Sequence, residues 1–385
     1  KHQKTAFFEK PCNKPYPLCF EVFKLLNKSR CELIFEQSIK SEHTREGYSR
    51  GLKYFMEFIE VKSYDQLLEG DQKSIQEKVE DYTISLKNRI SPNSFGMRLA
   101  PIFLFYALND IILNKIKIKK MFPAKVKVSG YNAYSRNDIE TMLSNTNKKR
   151  TKAIILVFSS TGARVGAIVG LKVGDILDTV REDCKCLRFY ARDREEYFGF
   201  LTPEATRSLN EYLEQRRNSG EKLDEQSPMF TLKDRLIDKK QIGIKRISRP
   251  AISNVLTAVF RHMDRTRDGN RWEIPTTHGF RKFFNRTLKM REGMNLSVCE
   301  KLMGHSVTVA LDNSYLPVTK DELFKEFEKA IPELTIREDE RNQLKIRSLE
   351  VTREQEEDKT TENKLLKEQL EILKQRMEIM ELTNV

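Results

Sequence analysis

The spacing of apolar residues divides the chain into three zones. Between about residues 30 and 128, apolar side chains recur at the three- and four-residue intervals of amphipathic helices. Between about residues 130 and 335, helical intervals alternate with short stretches in which every second residue is apolar, and such alternation is typical of strands. From about residue 338 to 385 the interval becomes seven, and glycine and proline are absent. The pattern predicts a helical domain, a mixed domain and a terminal helix.

These zones give the predicted domain organisation. An N-terminal extension over 1–30 precedes a helical domain over 31–128, a mixed domain over 129–335 and a C-terminal helix over 336–385. At the end of the helical domain, a lysine-rich stretch around Lys115 to Lys127 is interrupted by proline. Its composition is typical of a linker that contacts phosphate.

The mixed domain is predicted to be mainly helical, with a small antiparallel sheet. Alternating Leu187, Phe189, Phe198 and Phe200 surround a charged turn at 193–194, which predicts a β-hairpin. A helix is expected to end at the glycine of the turn 161–163, and another to begin at the Thr-Pro pair 202–203. A threonine and a glutamate three residues apart, at 319 and 322, predict a capping box.

The C-terminal zone carries a heptad pattern. Leu366, Leu373 and Met380 repeat every seven residues, and Leu370 and Met377 occupy the other seam position. About three heptads of this kind predict a coiled coil, in which a seam asparagine at position 363 would set register and oligomeric state. The alternative is a single amphipathic helix lying on the protein's own body.

The net charge of the chain indicates a polyanionic partner. The 385 residues include 69 Lys and Arg against 56 Asp and Glu, for a net charge of +13 and a pI of about 9.3. Such a surplus favours nucleic acid over a merely solvated basic surface. No run of 18 apolar residues exists, so no membrane span is expected. Six scattered cysteines suit a reducing setting, and a cytoplasmic, nucleoid-associated protein is predicted.

The sequence predicts neither a metal nor a cofactor. Cys12, Cys19, Cys31 and His43 could be imagined as a metal site, but their spacing matches no zinc pattern. The chain contains no P-loop and no GxGxxG motif.

Five residues could carry chemistry on a phosphate. They are Arg164, His278, Arg281, His305 and Tyr315. Arginines bind phosphate oxygens through two N–H groups and always remain charged, and histidines donate hydrogen bonds or move protons near neutral pH. A tyrosine hydroxyl can attack phosphorus and form a covalent intermediate. Together these residue types indicate phosphoryl transfer without a metal.

The order and spacing of these residues resemble the tyrosine recombinase (phage integrase) family. "TGARVGAIVGLKVGDI" resembles the family's first motif and places Arg164, and "HGFR" resembles its His-x-x-Arg and places His278 and Arg281. "LMGHS" resembles its Gly-His and places His305, and "DNSYLPVT" supplies the nucleophile position at Tyr315. The segment "LDNSYLPVTKDELFKEFEKAIPELTI" is most similar to integrases of archaeal viruses, plasmids and integrated elements.

The resemblance implies a mechanism. The helical core-binding domain and the catalytic domain would clamp double-stranded DNA at a specific site. Tyr315 would attack the scissile phosphate and form a 3′-phosphotyrosine, while Arg164, Arg281 and His305 hold the phosphate oxygens and His278 assists proton transfer. A 5′ hydroxyl of a partner strand then rejoins the chain. A tetramer on two DNA sites would integrate or excise a mobile element without ATP or metal.

The chain departs from the family pattern at two catalytic positions. An acidic residue usually follows the first arginine by three, but here that residue is Ala167, with Asp175 nearby in sequence. The family also uses a hairpin lysine as general acid, and the matching hairpin has Arg192 and Arg194 instead. Because arginine is a poor proton donor, either an arginine only stabilises charge, or Lys185 or another lysine donates the proton.

The nucleophile and the activity each leave alternatives. Tyr315 lies ten residues after His305 where nine is commoner, and Tyr190 and Tyr197 are the other tyrosines near the motifs. A type IB topoisomerase would share the chemistry but relax supercoils as a monomer. A degenerate DNA-binding protein on the same scaffold is the other alternative, which Ala167 and the missing lysine would favour.

Overall fold

The computed structural model describes residues 28–126, 132–232, 245–263, 265–268, 271–305, 318–347, 349–350 and 353. The chain divides into two compact units, Lys1–Val128 and Ser129–Val385. Among the described helices, none is long and apolar enough to cross a membrane.

The first unit is helical. Its α-helices are α1 (Arg30–Gln37), α2 (Glu42–Phe58), α3 (Gln72–Ser85), α4 (Phe95–Leu108) and α5 (Lys115–Lys120). Phe35, Phe55 and Phe105 are fully buried at the centre. Helices α2 and α4 approach closely at Gly51, where a Cβ atom would lie 2.8 Å from Pro101 Cγ. The apolar side chains whose spacing predicts helices therefore form the core of this unit.

The lysine-rich stretch differs from the expectation of a linker. Asn114 is the N-cap residue of helix α5, and its side chain accepts a hydrogen bond from the Lys117 amide. Ile118 is fully buried, and Lys117 forms a 2.7 Å ion pair with Glu80 of α3. One buried isoleucine between lysines is enough to attach this segment to the helical unit, and composition alone does not reveal that.

The second unit contains the remaining elements. Its α-helices are α6 (Arg136–Ser144), α7 (Lys149–Thr161), α8 (Val165–Gly170), α9 (Pro203–Asn218), α10 (Arg249–Val259), α11 (His278–Met290), α12 (Leu296–Leu302), α13 (Lys320–Lys329), α14 (Ile331–Leu334) and α15 (338–347). Its strands are β1 (Ile176–Asp178), β2 (Lys185–Phe189), β3 (Tyr197–Leu201), β4 (Arg267–Asp268) and β5 (Arg271–Trp272).

The sheet confirms the mainly helical catalytic fold with a small antiparallel sheet. Strands β1, β2 and β3 pair in that order, all antiparallel, and Leu187 lies opposite Gly199. Leu187 and Phe189 are buried on one face of the sheet, and Phe200, which lies opposite Cys186, is buried on the other. Phe198 is only half-buried, so the alternation predicts the two strands but not a single core-facing side. Strands β4 and β5 form a separate hairpin directly before α11.

Helix α7 is the centre of the second unit and positions the residues that follow it. From Ala153 to Thr161 every residue is buried, between α9 on one side and α11 on another. The helix ends at Gly162, in a left-handed conformation with φ of 57°. A Cβ atom there would lie 2.6 Å from the Phe284 ring of α11. Glycine therefore allows the chain after α7 to pass directly against α11.

The last helices pack on the same unit. The Thr319–Glu322 capping box at the start of α13 is present, as predicted. Glu204 of α9 accepts a hydrogen bond from the Ile336 amide, and Arg207 forms a two-pronged ion pair with Glu340 of α15. The start of the terminal helix thus lies on its own protomer. The predicted heptad residues 363–380 lie outside the described residues.

Candidate active site

Arg164 is held at the entrance to a cleft. It is the N-cap residue of α8, two residues after the glycine that ends α7. Its Nη1 atom donates a 3.0 Å hydrogen bond to the Gly304 carbonyl, 140 residues later. The turn after α12 therefore fixes the guanidinium.

Arg281 lies in the first turn of α11 and is only 7% exposed. Nη1 donates to the Gly162 carbonyl at 2.8 Å, and Nη2 donates to the Met303 carbonyl at 2.6 Å. Burial lowers the pKa of Arg281, and the positive charge of Arg164 lowers it further. The two guanidinium groups are close enough to repel each other, and an anion between them would relieve that repulsion.

His305 follows a turn in a left-handed backbone conformation, which glycine adopts without strain. Gly304 has a φ of 59°, and a Cβ atom there would lie 2.6 Å from the Tyr197 ring. The Nδ1 atom of His305 lies 2.5 Å from the Glu300 carboxylate. Because a carboxylate only accepts hydrogen bonds, this contact makes Nδ1 the donor and leaves Nε2 for a ligand.

Glu300 orients His305 and was not identified from the sequence. Burial alone would raise the pKa of Glu300, but hydrogen bonds from Lys289 and His305 outweigh it and hold the pKa below its ordinary value. The carboxylate is therefore ionised at neutral pH. The signal that could have found it is its position on α12, five residues before the histidine, where the helix end turns back on itself.

His278 is the first residue of α11 and lies at an exposed position. Partial desolvation of its ring lowers its pKa, and the positive charges of Arg281, Lys282 and Arg164 lower it further. A pKa below the ordinary value keeps the imidazole neutral at pH 7, so it can accept a proton. His278 lies three residues before Arg281 on α11, so the two side chains share a face of the helix.

The predicted nucleophile, Tyr315, lies outside the described residues. Of the two other candidates, Tyr197 has a buried hydroxyl and a ring stacked on Phe189 at 4.8 Å. Burial raises the pKa of Tyr197 far above its usual value, which opposes ionisation. Tyr190 lines the cleft, and burial raises its pKa as well.

The three candidates for the hairpin position are separated by the structure. Arg194 lines the same cleft as Arg164 and His305. Arg192 lines a neighbouring cleft, and its amide donates to Glu196. Lys185 begins β2, at the end of the hairpin away from the turn, and forms a 2.6 Å ion pair with Asp178. Only Arg194 of the three lines the cleft.

The position of the missing acidic residue is apolar. Ala167 is buried in the core beside α7. Asp175 accepts a 2.9 Å hydrogen bond from the Lys172 amide and lies 3.4 Å from Arg188. Its described partners are therefore local, and none is a site arginine.

The cleft has a volume of about 800 Å³ and is open to solvent. Arg164, Arg194, Lys301 and His305 contribute its positive and titratable groups, and Glu195 and Glu196 lie at the hairpin side. Lys301 was not singled out from the sequence. It lies on the last turn of α12, and the turn at Gly304 places His305 on the same cleft. The arrangement is suited to bind a phosphate diester and to donate a proton to an oxygen that leaves it.

Comparison with known proteins gives a family match. Residues 134–322 match the model of the phage integrase family. A tyrosine recombinase XerC of Leptospira interrogans serogroup Icterohaemorrhagiae serovar copenhageni (strain Fiocruz L1-130) is 27% identical over 335 residues, covering 82% of this chain and 98% of the relative.

Solved structures show the same fold. The Tn1549 transposon integrase in complex with circular intermediate DNA matches with a TM-score of 0.53 and 14% identity, over 78% of this chain and 99% of that one. A lambda integrase tetramer bound to a Holliday junction matches with a TM-score of 0.51 and 13% identity, over 80% and 85%. The resemblance based on the motifs is confirmed.

Proposed function

We propose that this enzyme integrates or excises a mobile element. The premise is that residues 134–322 belong to the phage integrase family and that the chain is therefore a tyrosine recombinase. It cuts and rejoins DNA at specific sites. We further propose that Tyr315 is the nucleophile and that the intermediate is a 3′-phosphotyrosine. The similarity of residues after Tyr315 to archaeal integrases favours an archaeal element.

The observation that carries the phosphate assignment is the convergence of Arg164 and Arg281. Both guanidinium groups are held by backbone carbonyls, and within the described part of the chain neither forms an ion pair with a carboxylate. Each retains N–H donors in the plane of its guanidinium. A scissile phosphate between them would accept hydrogen bonds from both and relieve their repulsion.

Each step of the reaction forms one bond to phosphorus as it breaks another. The Tyr315 oxygen forms a bond to phosphorus as the bond to the 5′ oxygen breaks, and the tyrosine proton passes to a base that we propose to be His278. The neutral state of His278 at pH 7 suits that role. The leaving 5′ oxygen takes a proton from a general acid. Rejoining reverses these steps with the 5′ hydroxyl of a partner strand, so no external energy source enters.

A covalent trap tests this function. The protein is incubated with a duplex that carries one end of its element and a nick just 3′ of the expected cleavage site, so that the short product diffuses away. A protein–DNA adduct on a denaturing gel supports the proposal, and digestion of the adduct followed by mass spectrometry locates the modified tyrosine. Recombination of two cognate sites, without relaxation of a random supercoiled plasmid, separates a recombinase from a topoisomerase.

We infer that Lys301 is the general acid and that Arg194 stabilises charge. Both line the cleft with Arg164 and His305, but only lysine releases a proton readily. Lys301→Arg keeps the charge and is expected to slow cleavage about 100-fold, within the range for loss of a general acid. A substrate with sulfur at the 5′ bridging position needs no proton on its leaving group, and should restore the rate.

Two comparisons make this prediction specific. Arg194→Ala should slow cleavage of the oxygen and sulfur substrates alike, since a charge-stabilising group acts on both. Lys325→Gln removes an exposed lysine from α13 and should leave both rates unchanged. Failure of the sulfur substrate to rescue Lys301→Arg would assign proton donation elsewhere.

We propose that the active assembly is a tetramer on two DNA sites, by analogy with the lambda integrase tetramer on a Holliday junction. The first unit would be the core-binding domain, and the second the catalytic domain with the terminal helix. Clamping of one duplex by both units would account for the surplus of 13 positive charges.

The terminal helix is expected to act in assembly. Deleting residues 354–385 keeps the contacts of α15 with α9 and removes the heptads. Cleavage of a single half-site should be unchanged, and the two-site complex should fall several-fold, because a short seam associates weakly unless DNA already holds the protomers close. Light scattering of DNA complexes and single-turnover cleavage measure the two effects.

The alternatives give different results in the same assays. Unchanged assembly and recombination would show that the coiled-coil prediction is wrong. Faster half-site cleavage by the shortened protein would show instead that the helix restrains the active site of its own protomer.

A further inference from the structure

The β4–β5 hairpin carries the only tryptophan in the chain, Trp272. Arg267 lies directly opposite it across the antiparallel pair. Trp272 precedes His278, at the start of α11, by six residues, which limits the distance between their Cα atoms to about 20 Å. A duplex bound at the site arginines extends beyond that distance, since one helical turn of DNA spans about 34 Å.

Two arginines interact with the indole ring. The Cζ atom of Arg267 lies 3.9 Å from the Trp272 ring centroid, and that of Arg265 lies 4.1 Å from it. Arg265 also lies 4.1 Å from the Phe260 ring and donates a hydrogen bond to the Ile274 carbonyl. Arg265 therefore ties the hairpin to the body of the second unit, whereas Arg267 is exposed on its outer side.

The stack prepares Arg267 to bind an anion. Stacking on an aromatic face fixes the guanidinium plane and leaves its N–H donors free at the edge. Part of the conformational entropy that an exposed arginine loses on binding is then already lost. Burial lowers the pKa of Arg265, and the charge of Arg267 lowers it further, so the two cations repel. Among the residues described, no carboxylate pairs with Arg267.

We propose that the Arg267–Trp272 face of this hairpin binds a backbone phosphate of the DNA outside the cleft. The inference rests on the proposed function, because it takes the DNA of the recombination site as the ligand. Its chemistry is that of a phosphate diester held by the guanidinium edge, a contact that positions the duplex without reading its sequence. The opposite face of the hairpin, which carries Arg271, makes no such contact.

The register of the hairpin supplies a matched control. Arg271 pairs with Asp268, so it lies on the face opposite Trp272, and it is also exposed. Arg267→Ala and Arg271→Ala each remove one positive charge from the same hairpin. Binding of each variant to the cognate duplex is measured by anisotropy from low to high salt. The dependence of log affinity on log salt should lose about one unit of slope for Arg267→Ala and clearly less for Arg271→Ala.

A third variant separates charge from folding. Arg267→Lys keeps a cation that can lie over the ring and contact phosphate, so its salt slope should stay near that of the unaltered protein. The emission of Trp272 should also change on DNA binding and saturate with the affinity measured by anisotropy. Equal slopes for Arg267→Ala and Arg271→Ala would overturn the proposal, as would an equal loss of salt slope in Arg267→Ala and Arg267→Lys, since lysine keeps the charge that the slope counts.

Failure of the proposed function has a different signature. With saturating DNA, Arg271→Ala should form the phosphotyrosine adduct at the same rate as the unaltered protein, because Arg271 lies on the face of the hairpin opposite Trp272. Absence of any adduct from the unaltered protein would contradict the recombinase function, whatever the salt slopes show.

Discussion

Tyr315→Phe should abolish the covalent protein–DNA adduct and leave affinity for the duplex within about twofold. The substitution removes only the oxygen that would attack phosphorus and keeps the aromatic ring. Binding by anisotropy and adduct formation on a nicked substrate measure the two properties on one protein preparation. This is the largest effect expected of any single substitution, because the covalent step has no substitute nucleophile in the mechanism.

The structure also provides the control for that experiment. Tyr190 lines the cleft, and Tyr190→Phe should retain adduct formation if Tyr315 is the nucleophile. Tyr197 is a weaker alternative, because its buried hydroxyl resists ionisation and its ring covers Gly304. An adduct at full yield from Tyr315→Phe, lost in Tyr190→Phe, would transfer the role to Tyr190.

Arg164→Lys and Arg281→Lys should each slow single-turnover cleavage on the order of 100-fold, although the charge is kept. Lysine cannot present two N–H groups in one plane to a phosphate, and loss of one such donor costs about 3 kcal/mol at comparable sites. Arg281→Lys also loses at least one of its two carbonyl contacts, so its thermal stability should fall, whereas that of Arg164→Lys should change less.

Arg286→Lys is the matched control, since Arg286 is exposed on the same helix as Arg281. It should leave the cleavage rate unchanged. Activity within threefold of the unaltered protein in either site variant would contradict the assigned contact. Measuring cleavage with saturating DNA removes any contribution from weakened binding.

The elements that the sequence predicts well are those with local signals. The hairpin around 187–200, the helix ending at Gly162 and the capping box at Thr319 each follow from neighbouring residues, and the structure contains all three. The family motifs also indicated that Arg164 and Arg281 share a site. Their close electrostatic interaction is consistent with that assignment.

Other features depend on contacts that no local pattern encodes. The carbonyl partner of Arg164 lies 140 residues away, and one partner of Arg281 lies 119 residues away. No local pattern marks Glu300 or Lys301, because the turn at Gly304 is what places His305 against Glu300 and on the same cleft as Lys301. Composition also predicts a linker around 115–127, because the one buried isoleucine in its helix carries little weight in an average over lysines.

The carbonyls that hold the two site arginines have one more property in common. Those of Gly162 and Met303 cap the C-termini of α7 and α12, and that of Gly304 follows directly. A helix C-terminus carries roughly half a negative elementary charge, so two of them offset about one of the two guanidinium charges. A carboxylate in place of these carbonyls would neutralise a full positive charge and would compete with the DNA phosphate for the arginines. Fixed dipoles cannot leave or titrate, so they stabilise the two guanidinium groups in the absence of DNA and leave about one of their two positive charges for the incoming phosphate.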